Sequence, residues 1–364
     1  MLDLLAPLRL RSGLVVPGRT SLAPMTNLQS NDDGTLHDDE LRWLVRRAKG
    51  GFAWIATCAA YVCDEGKAWR GQLGIASEAH EAGLTRLAGE LAAHGAASFV
   101  QLYHGGKQAS LAPGAKLTTA DAPERNERAA TADDLARIVE TFVDAARRAE
   151  RAGFSGVELH GANGYLFTQF LAPADNPRRD AWGGDLAGRA KLLRDTLRAV
   201  RAAVRPGFAV GVRISPVDTY AKRGLVLDDA RELVRWLADD GADFVHLSLR
   251  DACAPPPFEE GKPPVAQAIR AALPREVALL AAGGLQSRAD AERAVALGVD
   301  VPTFGRAAIG NADLPRTLAS PSGAALAFVP PPWSREHLAA QNVSPRFVGY
   351  LERFDRLVEG APPR

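Results

Sequence analysis

The sequence predicts an α/β fold, a single (β/α)8 TIM barrel with long loops after strands 3 and 4 and a C-terminal helical tail. Short apolar runs alternate with amphipathic stretches along the 364-residue chain, and a glycine often separates a helix from the next strand. This alternation indicates a parallel sheet. Eight such units favour a closed barrel over a six-stranded doubly wound sheet. Pro302 lacks a ladder N–H, so the eighth strand could begin after it. The predicted strands lie near residues 20–25, 52–59, 98–102, 156–160, 209–213, 244–248, 277–282 and 301–305.

The helix before the fourth strand carries the clearest local signals. Thr131 and Asp134 have the spacing of a capping box, in which each side chain satisfies a free backbone amide of the other. Gly153 is expected to end the helix, because glycine readily takes the left-handed conformation there. Apolar residues at helical spacing share one face: Leu135, Ile138, Val139, Phe142, Val143 and Ala146.

Two segments, 103–130 and 161–187, are longer than ordinary connections. Long loops after barrel strands usually cover an active site. We assign residues 1–320 to the barrel and 321–364 to a C-terminal extension that packs on the barrel or on a neighbouring subunit, so a homo-oligomer is compatible with the sequence. The extension holds a helix-like piece over 344–358.

The composition argues against several classes of protein. A net charge of +1, from 44 Lys and Arg against 43 Asp and Glu, gives no electrostatic reason to expect nucleic acid or an anionic membrane as partner. No apolar run approaches the ~18 residues that span a bilayer, and the N-terminus lacks the basic region of a signal peptide. The cysteines have neither metal-ligand nor disulfide spacing, which predicts a cytoplasmic protein without a metal site: Cys58, Cys63 and Cys253.

The end of the fourth strand is the strongest candidate site. His160, Asn163 and Tyr165 place an imidazole, a carboxamide and a phenol within six residues. Each alone has a structural explanation: an interior histidine, a residue that closes a turn, and a packed tyrosine with a hydrogen-bonded hydroxyl. Together, two of them can bind a carbonyl oxygen while the third delivers a proton.

The last two strand ends carry a second candidate site. Gly283-Gly284 and Gly305-Arg306 follow strands seven and eight, the usual phosphate site of this fold. Glycine lets backbone amides approach a phosphate, and an arginine adds a bidentate donor. The alternative is that these glycines only make tight turns.

Gln101 and Arg213 end the third and fifth strands. A carboxamide can donate and accept together, which suits the edge of an imide, and a guanidinium suits a developing negative charge. The alternative for Arg213 is a structural ion pair with a barrel carboxylate such as Glu158.

Taken together, these motifs resemble the old yellow enzyme family of FMN-dependent ene-reductases, also called NADH:flavin oxidoreductases. The resemblance covers residues 3–320 and is specific only in combination. Its landmarks are Ala23-Pro24-Met25-Thr26, Val100-Gln101-Leu102, His160 to Leu166, Asn176 to Gly184, Val212 to Pro216, Gly283-Gly284 and Phe304-Gly305-Arg306.

The resemblance implies FMN as cofactor, bound by the barrel, with NAD(P)H as reductant. Gln101 would bond the pyrimidine edge of the flavin, Arg213 would lie near N1 and O2, and the hydroxyl of Thr26 would lie near O4. The glycines and Arg306 would hold the phosphate. The residues expected to contact the flavin are Pro24, Met25, Thr26, Ala59, Gln101, Arg213, Gly283, Gly284, Gly305 and Arg306.

The resemblance also implies a reaction. His160 and Asn163 would hold the oxygen of an α,β-unsaturated carbonyl or nitro compound while hydride passes from flavin N5 to the β-carbon. Tyr165 would protonate the α-carbon, as a phenol that stays protonated at neutral pH can. The nicotinamide would use the same pocket first, which gives ping-pong kinetics. Tyr103 would shape the pocket wall, or it is plain packing.

Two departures from the family pattern bear on loop geometry: Trp182-Gly-Gly-Asp185 and Ala187-Gly188. A cofactor-free phosphate-binding isomerase or aldolase would explain the glycines and Arg306, but it gives Gln101 and Arg213 no role. The third hypothesis is a flavin-binding protein that has lost catalytic turnover.

Overall fold

The computed structural model describes residues 3–319 and 328–362, so the domain boundary predicted at residue 320 lies outside the described residues. Eight parallel strands form a closed barrel whose order follows the chain, with the last strand pairing with the first. The predicted TIM barrel is therefore confirmed. The strands are β1 Ser21–Leu22, β2 Trp54–Tyr61, β3 Ala97–Tyr103, β4 Gly156–Gly161, β5 Ala209–Ile214, β6 Phe244–Ser248, β7 Ala278–Ala282 and β8 Val301–Phe304.

Helices follow the strands and cover the outside of the barrel. The first eight are α1 Asp38–Lys49, α2 Glu81–Ala93, α3 Ala132–Arg151, α4 Leu166–Leu171, α5 Leu186–Ala203, α6 Leu227–Asp239, α7 Val265–Ala272 and α8 Arg288–Ala296. Four short helices come later: α9 Arg306–Gly310, α10 Leu314–Ala319, α11 Arg335–Ala340 and α12 Pro345–Leu351. Two small sheets join Leu8–Arg9 to Val15–Val16 and Lys116–Thr118 to Glu127–Ala129. No helix in the described ranges is long and apolar enough to cross a membrane.

The local signals of α3 are confirmed. The Thr131 hydroxyl accepts from the Asp134 amide at 3.2 Å, and the Asp134 carboxylate accepts from the Thr131 amide at 2.9 Å. Gly153 has a φ of +89° just after the helix. Pro302, in contrast, lies inside β8 and pairs with Ala281, so the idea that the strand begins after it is wrong. In so short a strand the proline removes one ladder donor and leaves the extended backbone intact.

Aromatic side chains fill the N-terminal end of the barrel. Trp54 stacks on Phe99 with ring centroids 4.1 Å apart, and Phe244 meets both rings edge-on. Glycine makes the room: a Cβ on Gly211 would lie 2.2 Å from the Phe244 ring, and one on Gly156 would lie 2.8 Å from the Phe99 ring. A ligand must therefore enter from the C-terminal end.

The two long loops meet above that end. Gln169 of α4 accepts from the Lys107 amide at 3.0 Å and donates to the carbonyls of Gly105 and Gly164, at 3.2 and 2.8 Å. A Cβ on Gly106 would lie 2.3 Å from the Gln169 carbonyl oxygen, so the contact requires glycine there. One buried carboxamide thus joins the loop after β3 to the loop after β4.

The residues that depart from the family pattern, Trp182-Gly-Gly-Asp185 and Ala187-Gly188, form the N-terminal turn of α5 and the loop before it. Asp185 is the N-cap of α5, and its carboxylate accepts from the Gly188 amide at 2.9 Å. A Cβ on Gly188 would lie 2.1 Å from the Gly183 carbonyl oxygen, so this turn needs glycine. Asn176 donates to the Trp182 carbonyl at 2.8 Å and holds the preceding loop.

Residues 328–362 pack against the barrel helices. Trp333 is buried over Gly310, where a Cβ would lie 2.2 Å from the indole. Phe347 of α12 meets Trp43 of α1 edge-on, with ring centroids 5.5 Å apart. The end of the chain is therefore part of the same core.

The predicted helix over 344–358 is shorter than expected. It spans Pro345–Leu351 as α12. Arg356 then takes a left-handed φ of +60°, which turns the chain so that Val358 forms a bridge with Trp333. The apolar residues after the helix serve that bridge and not a further helical turn.

A buried arginine joins this tail to the barrel. Arg47 is fully buried and makes no ion pair among the described residues. Its guanidinium donates to four carbonyl oxygens, which belong to Trp43, Ala308, Ile309 and Gln341, at 2.5–3.3 Å. A lost donor would leave several buried acceptors unpaired, and each costs about 1–3 kcal/mol.

We predict that Arg47→Ala lowers the free energy of unfolding by about 2–4 kcal/mol. Arg42→Ala on the same helix is the control, because Arg42 is exposed and its ion pair with Asp39 contributes at most about 1 kcal/mol. Urea denaturation measures both variants. Equal losses would contradict the role of Arg47.

Candidate active site

Three predicted side chains come together at the end of β4. His160 is the penultimate residue of the strand, and the chain then turns through Asn163 and Gly164, with φ values of +61° and +78°. Tyr165 is the N-cap residue of α4. The turn brings the Tyr165 ring to 5.1 Å from the His160 ring, measured between centroids.

Burial sets the charge state of both rings. It lowers the pKa of His160, and the charges of Arg213 and His246 lower it further, so the imidazole is neutral at pH 7. Burial raises the pKa of Tyr165, so the phenol stays protonated. His160 Nδ1 has no hydrogen-bond partner among the described residues.

Two serines hold Asn163, Ser215 through its backbone and Ser248 through its side chain. Its backbone N–H donates to Ser215 Oγ at 2.9 Å, and its Oδ1 accepts from Ser248 Oγ at 3.0 Å. Arg213 Nη2 in turn donates to Ser248 Oγ at 3.1 Å. The oxygen of the amide is thus occupied, and Nδ2 remains as the donor. Sequence reasoning missed both serines, although each lies at the end of a strand.

An aromatic wall stands beside these groups. The Tyr103 ring lies 4.5 Å from the Tyr165 ring and 5.9 Å from the His160 ring, and Trp69 packs 5.4 Å from Tyr103. Tyr103 is fully buried, so it supports Tyr165 from behind. Trp69 lies in a connection with no motif, and sequence reasoning missed it.

The tail contributes a further residue that sequence reasoning missed. Tyr350 of α12 lies close enough to Tyr165 to raise its pKa. Burial raises the pKa of Tyr350 itself, while the Thr26 hydroxyl lowers it. No spacing in the sequence brings Tyr350 to the barrel, because its position depends on how the tail docks.

A buried carboxylate lies below the site. Glu158 accepts from Gln101 Nε2 at 2.7 Å and contacts His246 Nδ1 at 2.8 Å. Burial alone would raise the pKa of Glu158, but His246, Arg213 and Gln101 together lower it, so it is ionised. Among the described residues Glu158 makes no hydrogen bond or ion pair with Arg213, and its partner His246 is neutral at pH 7 because burial lowers the pKa of that imidazole.

Arg213 instead faces the mouth of the barrel. It donates to the Pro24 carbonyl at 3.2 Å and to Ser248, while its Nε is buried without a partner among the described residues. The Ala59 carbonyl accepts from Gln72 at 3.0 Å, and Ala59 pairs with Gln101 after an irregularity in β2.

The glycines after β7 and β8 form a cradle that is closed at Gly283 and open at Gly284 and Gly305, where no atom lies closer than 3.5 Å to the Cβ position. Gly283 has a φ of +156°, and a Cβ there would lie 2.7 Å from the Leu249 carbonyl oxygen. The Cβ position on Gly305 has Met25 Sδ at 3.6 Å. Arg306 is exposed at the start of α9, and its guanidinium has no partner in the described ranges. Accessible amides beside an unpaired guanidinium fit a phosphate. No cluster of metal-ligating side chains occurs in the described part of the chain.

The family model described as NADH:flavin oxidoreductase / NADH oxidase matches residues 3–322. The chain belongs to this family. It is an old yellow enzyme homologue that uses FMN and a nicotinamide reductant, and membership rules out the cofactor-free isomerase or aldolase. The unpaired Nε of Arg213, the Gly283 cradle and the free Arg306 fit an anionic, imide-bearing cofactor.

Three relatives illustrate the match. A probable NADH-dependent flavin oxidoreductase, YqiG, from Bacillus subtilis (strain 168), is 34% identical over 83% of this chain and 84% of its own length. The NADH:acrylate oxidoreductase of Vibrio harveyi is 32% identical over 84% of this chain, but the match spans only 32% of that longer protein. A structure of morphinone reductase with tetrahydroNAD has a TM-score of 0.75 and 25% identity, and covers 89% of this chain and 94% of that one.

We predict that Arg306→Gln weakens FMN binding by about 10–100-fold, because a charge-assisted contact to the phosphate is lost. Fluorescence titration of the apoprotein with FMN measures the change. Arg316→Gln is the control, since that exposed arginine lies beyond the cradle and donates to the Lys49 carbonyl. Equal affinity of Arg306→Gln and the unchanged protein would place the phosphate elsewhere.

Proposed function

We propose that this enzyme reduces the activated C=C bond of α,β-unsaturated carbonyl or nitro compounds with NAD(P)H, in a ping-pong cycle. Bound FMN would accept hydride from the nicotinamide and pass it from N5 to the β-carbon. The observation that carries the proposal is a neutral imidazole, an amide donor and a protonated phenol within one turn of chain. The acrylate named for the Vibrio harveyi relative is an alkene of this kind.

In this proposal His160 and Asn163 bind the oxygen of the activating group. As hydride reaches the β-carbon, negative charge develops on that oxygen. Two fixed donors stabilise it, and removal of one such donor typically costs ~10²–10³ in rate. Ser215 and Ser248 hold Asn163 in place, and burial keeps the His160 imidazole neutral. Both features suit the binding of this oxygen.

Tyr165 would deliver the proton to the α-carbon. A phenol in water has a pKa of about 10, and burial raises that of Tyr165. The group is therefore fully protonated through the neutral range and can act as general acid. Tyr103 and Trp69 would hold its ring in place and line the wall of the pocket.

The flavin contacts implied by the resemblance remain part of the proposal. Gln101 donates to Glu158, and this hydrogen bond would orient its carboxamide toward the pyrimidine edge of the flavin. Arg213, at the mouth, would stabilise negative charge near N1 and O2, and Thr26 would meet O4. Pro24, Met25 and Ala59 would pack against the ring system through backbone and side-chain atoms.

We further propose a cytoplasmic enzyme that acts on a small molecule and has no nucleic-acid partner. The three cysteines are free thiols, which suits a reducing compartment. A homo-oligomer stays part of this proposal.

Separate half-reactions test the function. Under argon, NADH or NADPH should bleach the yellow holoenzyme, and 2-cyclohexenone or a nitroalkene should restore the colour. A flavin that is bleached but is not reoxidised by any activated alkene would contradict the proposal and indicate a flavoprotein without this turnover.

We predict that Tyr165→Phe retains flavin reduction and slows reoxidation by 2-cyclohexenone by about 10²–10⁴-fold, because only the second step needs the acid. Reoxidation by the unchanged enzyme should stay constant through the neutral range and past a pH of about 10, where a free phenol ionises, because burial raises the pKa of Tyr165. Stopped-flow absorbance gives both rates. Equal slowing of the two half-reactions would exclude Tyr165 as proton donor.

We predict that Ser248→Ala weakens binding of a phenolate ligand through its effect on Asn163. The unchanged holoenzyme should show a long-wavelength charge-transfer band with 4-hydroxybenzaldehyde. Asn163→Ala should weaken this binding about 10-fold or more, and Ser248→Ala should weaken it less. In the double variant the two effects should not add. Ser248→Thr, which keeps the hydroxyl, is the control; full additivity would mean that Ser248 does not act through Asn163.

A further inference from the structure

A cavity opens beside the reacting groups on the side away from the aromatic wall. Its volume is about 460 Å³, within the usual range for small-molecule sites. Asn163 and Tyr165 form one side, and the loops after β5 and β6 form the other. It is therefore continuous with the place where we expect the alkene to react.

The loop after β5 is a fixed wall. The Asp218 carboxylate accepts from the backbone amides of Arg223 and Gly224, at 2.6 and 2.8 Å, and the Asp218 amide donates to the Leu225 carbonyl at 3.0 Å. The tip of the loop, with the exposed Tyr220, thus stands over the cavity.

Two arginines line this cavity, and they differ in their partners. Arg223 Nη1 contacts Asp175 at 2.9 Å, but Lys107 contacts the same carboxylate at 2.6 Å, so two cations share one anion. Arg250 is exposed and makes no hydrogen bond or ion pair within residues 3–319 and 328–362. The only acidic residue of the lining is Asp218; both backbone amides bond its Oδ2, and its Oδ1 is buried without a hydrogen-bond partner among the described residues.

The cationic edge is close to the reacting groups. A Cβ on Gly164, between Asn163 and Tyr165, would lie 3.2 Å from Arg223 Nη1. A guanidinium this near, with 38% of its side chain exposed, can reach a bound ligand. Guanidinium groups bind carboxylate and phosphate oxygens in bidentate geometry.

We propose that this cavity is an anion-binding subsite, in which Arg223 and Arg250 hold a carboxylate or phosphate group on the molecule whose reacting end lies at Asn163 and Tyr165. The inference rests on the proposed function and adds a preference for charged ligands. The anion belongs either to the alkene substrate or to the pyrophosphate of the nicotinamide dinucleotide, and the two sources can be separated.

Two phenols of equal size test the substrate source. The FMN-loaded enzyme is titrated with 4-hydroxyphenylacetate and with its uncharged amide, 4-hydroxyphenylacetamide, and the charge-transfer band reports binding. We expect the carboxylate to bind about 5–10-fold more tightly at low salt. Arg223→Gln and Arg250→Gln should remove this preference and leave the affinity for the amide within about twofold.

Two reductants test the other source. NADH is compared with 1-benzyl-1,4-dihydronicotinamide, which lacks the pyrophosphate. If the dinucleotide supplies the anion, both variants should slow flavin reduction by NADH about 5–10-fold and leave the benzyl analogue unaffected. Arg179→Gln is the matched control, because Arg179 is an equally exposed arginine on the loop before α5 that does not line the cavity.

The FMN content of each variant is measured first, because the Arg250 carbonyl lies 3.5 Å from the Cβ position on Gly284. Arg223→Gln is independent of that cradle. Loss of charge preference in either arm supports the subsite and names its ligand. Unchanged preferences in both arms, or the same change in Arg179→Gln, would overturn it. If the unchanged enzyme bound neither phenol and reduced no alkene, that result would contradict the proposed function itself.

Discussion

The mouth of the barrel is organised around one buried carboxylate. Glu158 is ionised in a dry interior, which is stable only because His246, Gln101 and the nearby Arg213 compensate its charge. These partners come from three different strands. The hydrogen bonds to Glu158 therefore fix the side chains of Gln101 and His246 beneath the site.

Beside this carboxylate, a chain of hydrogen bonds begins at Arg213. Arg213 contacts Ser248, Ser248 contacts Asn163, and the turn at Asn163 sets the position of Tyr165. The charges of Glu158 and Arg213 act on each other without a hydrogen bond between them, which couples the buried carboxylate to this chain. A substitution at any link is expected to be felt at its neighbours.

The sequence predicted much of this because strand ends in a parallel barrel must meet at one end. The eight strands, the Thr131 capping box and the trio of His160, Asn163 and Tyr165 follow from periodicity and local chemistry. Trp69 and Tyr350 could not be found this way, since their places depend on loop and tail packing. Tertiary packing also explains why α12 is shorter than predicted: the left-handed Arg356 and the bridge between Trp333 and Val358 override local helix propensity.

The C-terminal tail has a separate consequence. It is attached through Arg47 and Trp333, and it brings Tyr350 near enough to raise the pKa of Tyr165 without contributing a strand to the barrel. The tail can therefore change the chemistry at the entrance while the hydrogen-bonded cylinder stays the same. A change confined to the surroundings of Tyr350 is therefore a route to a different substrate range that keeps the stabilising contacts of Arg47 and Trp333.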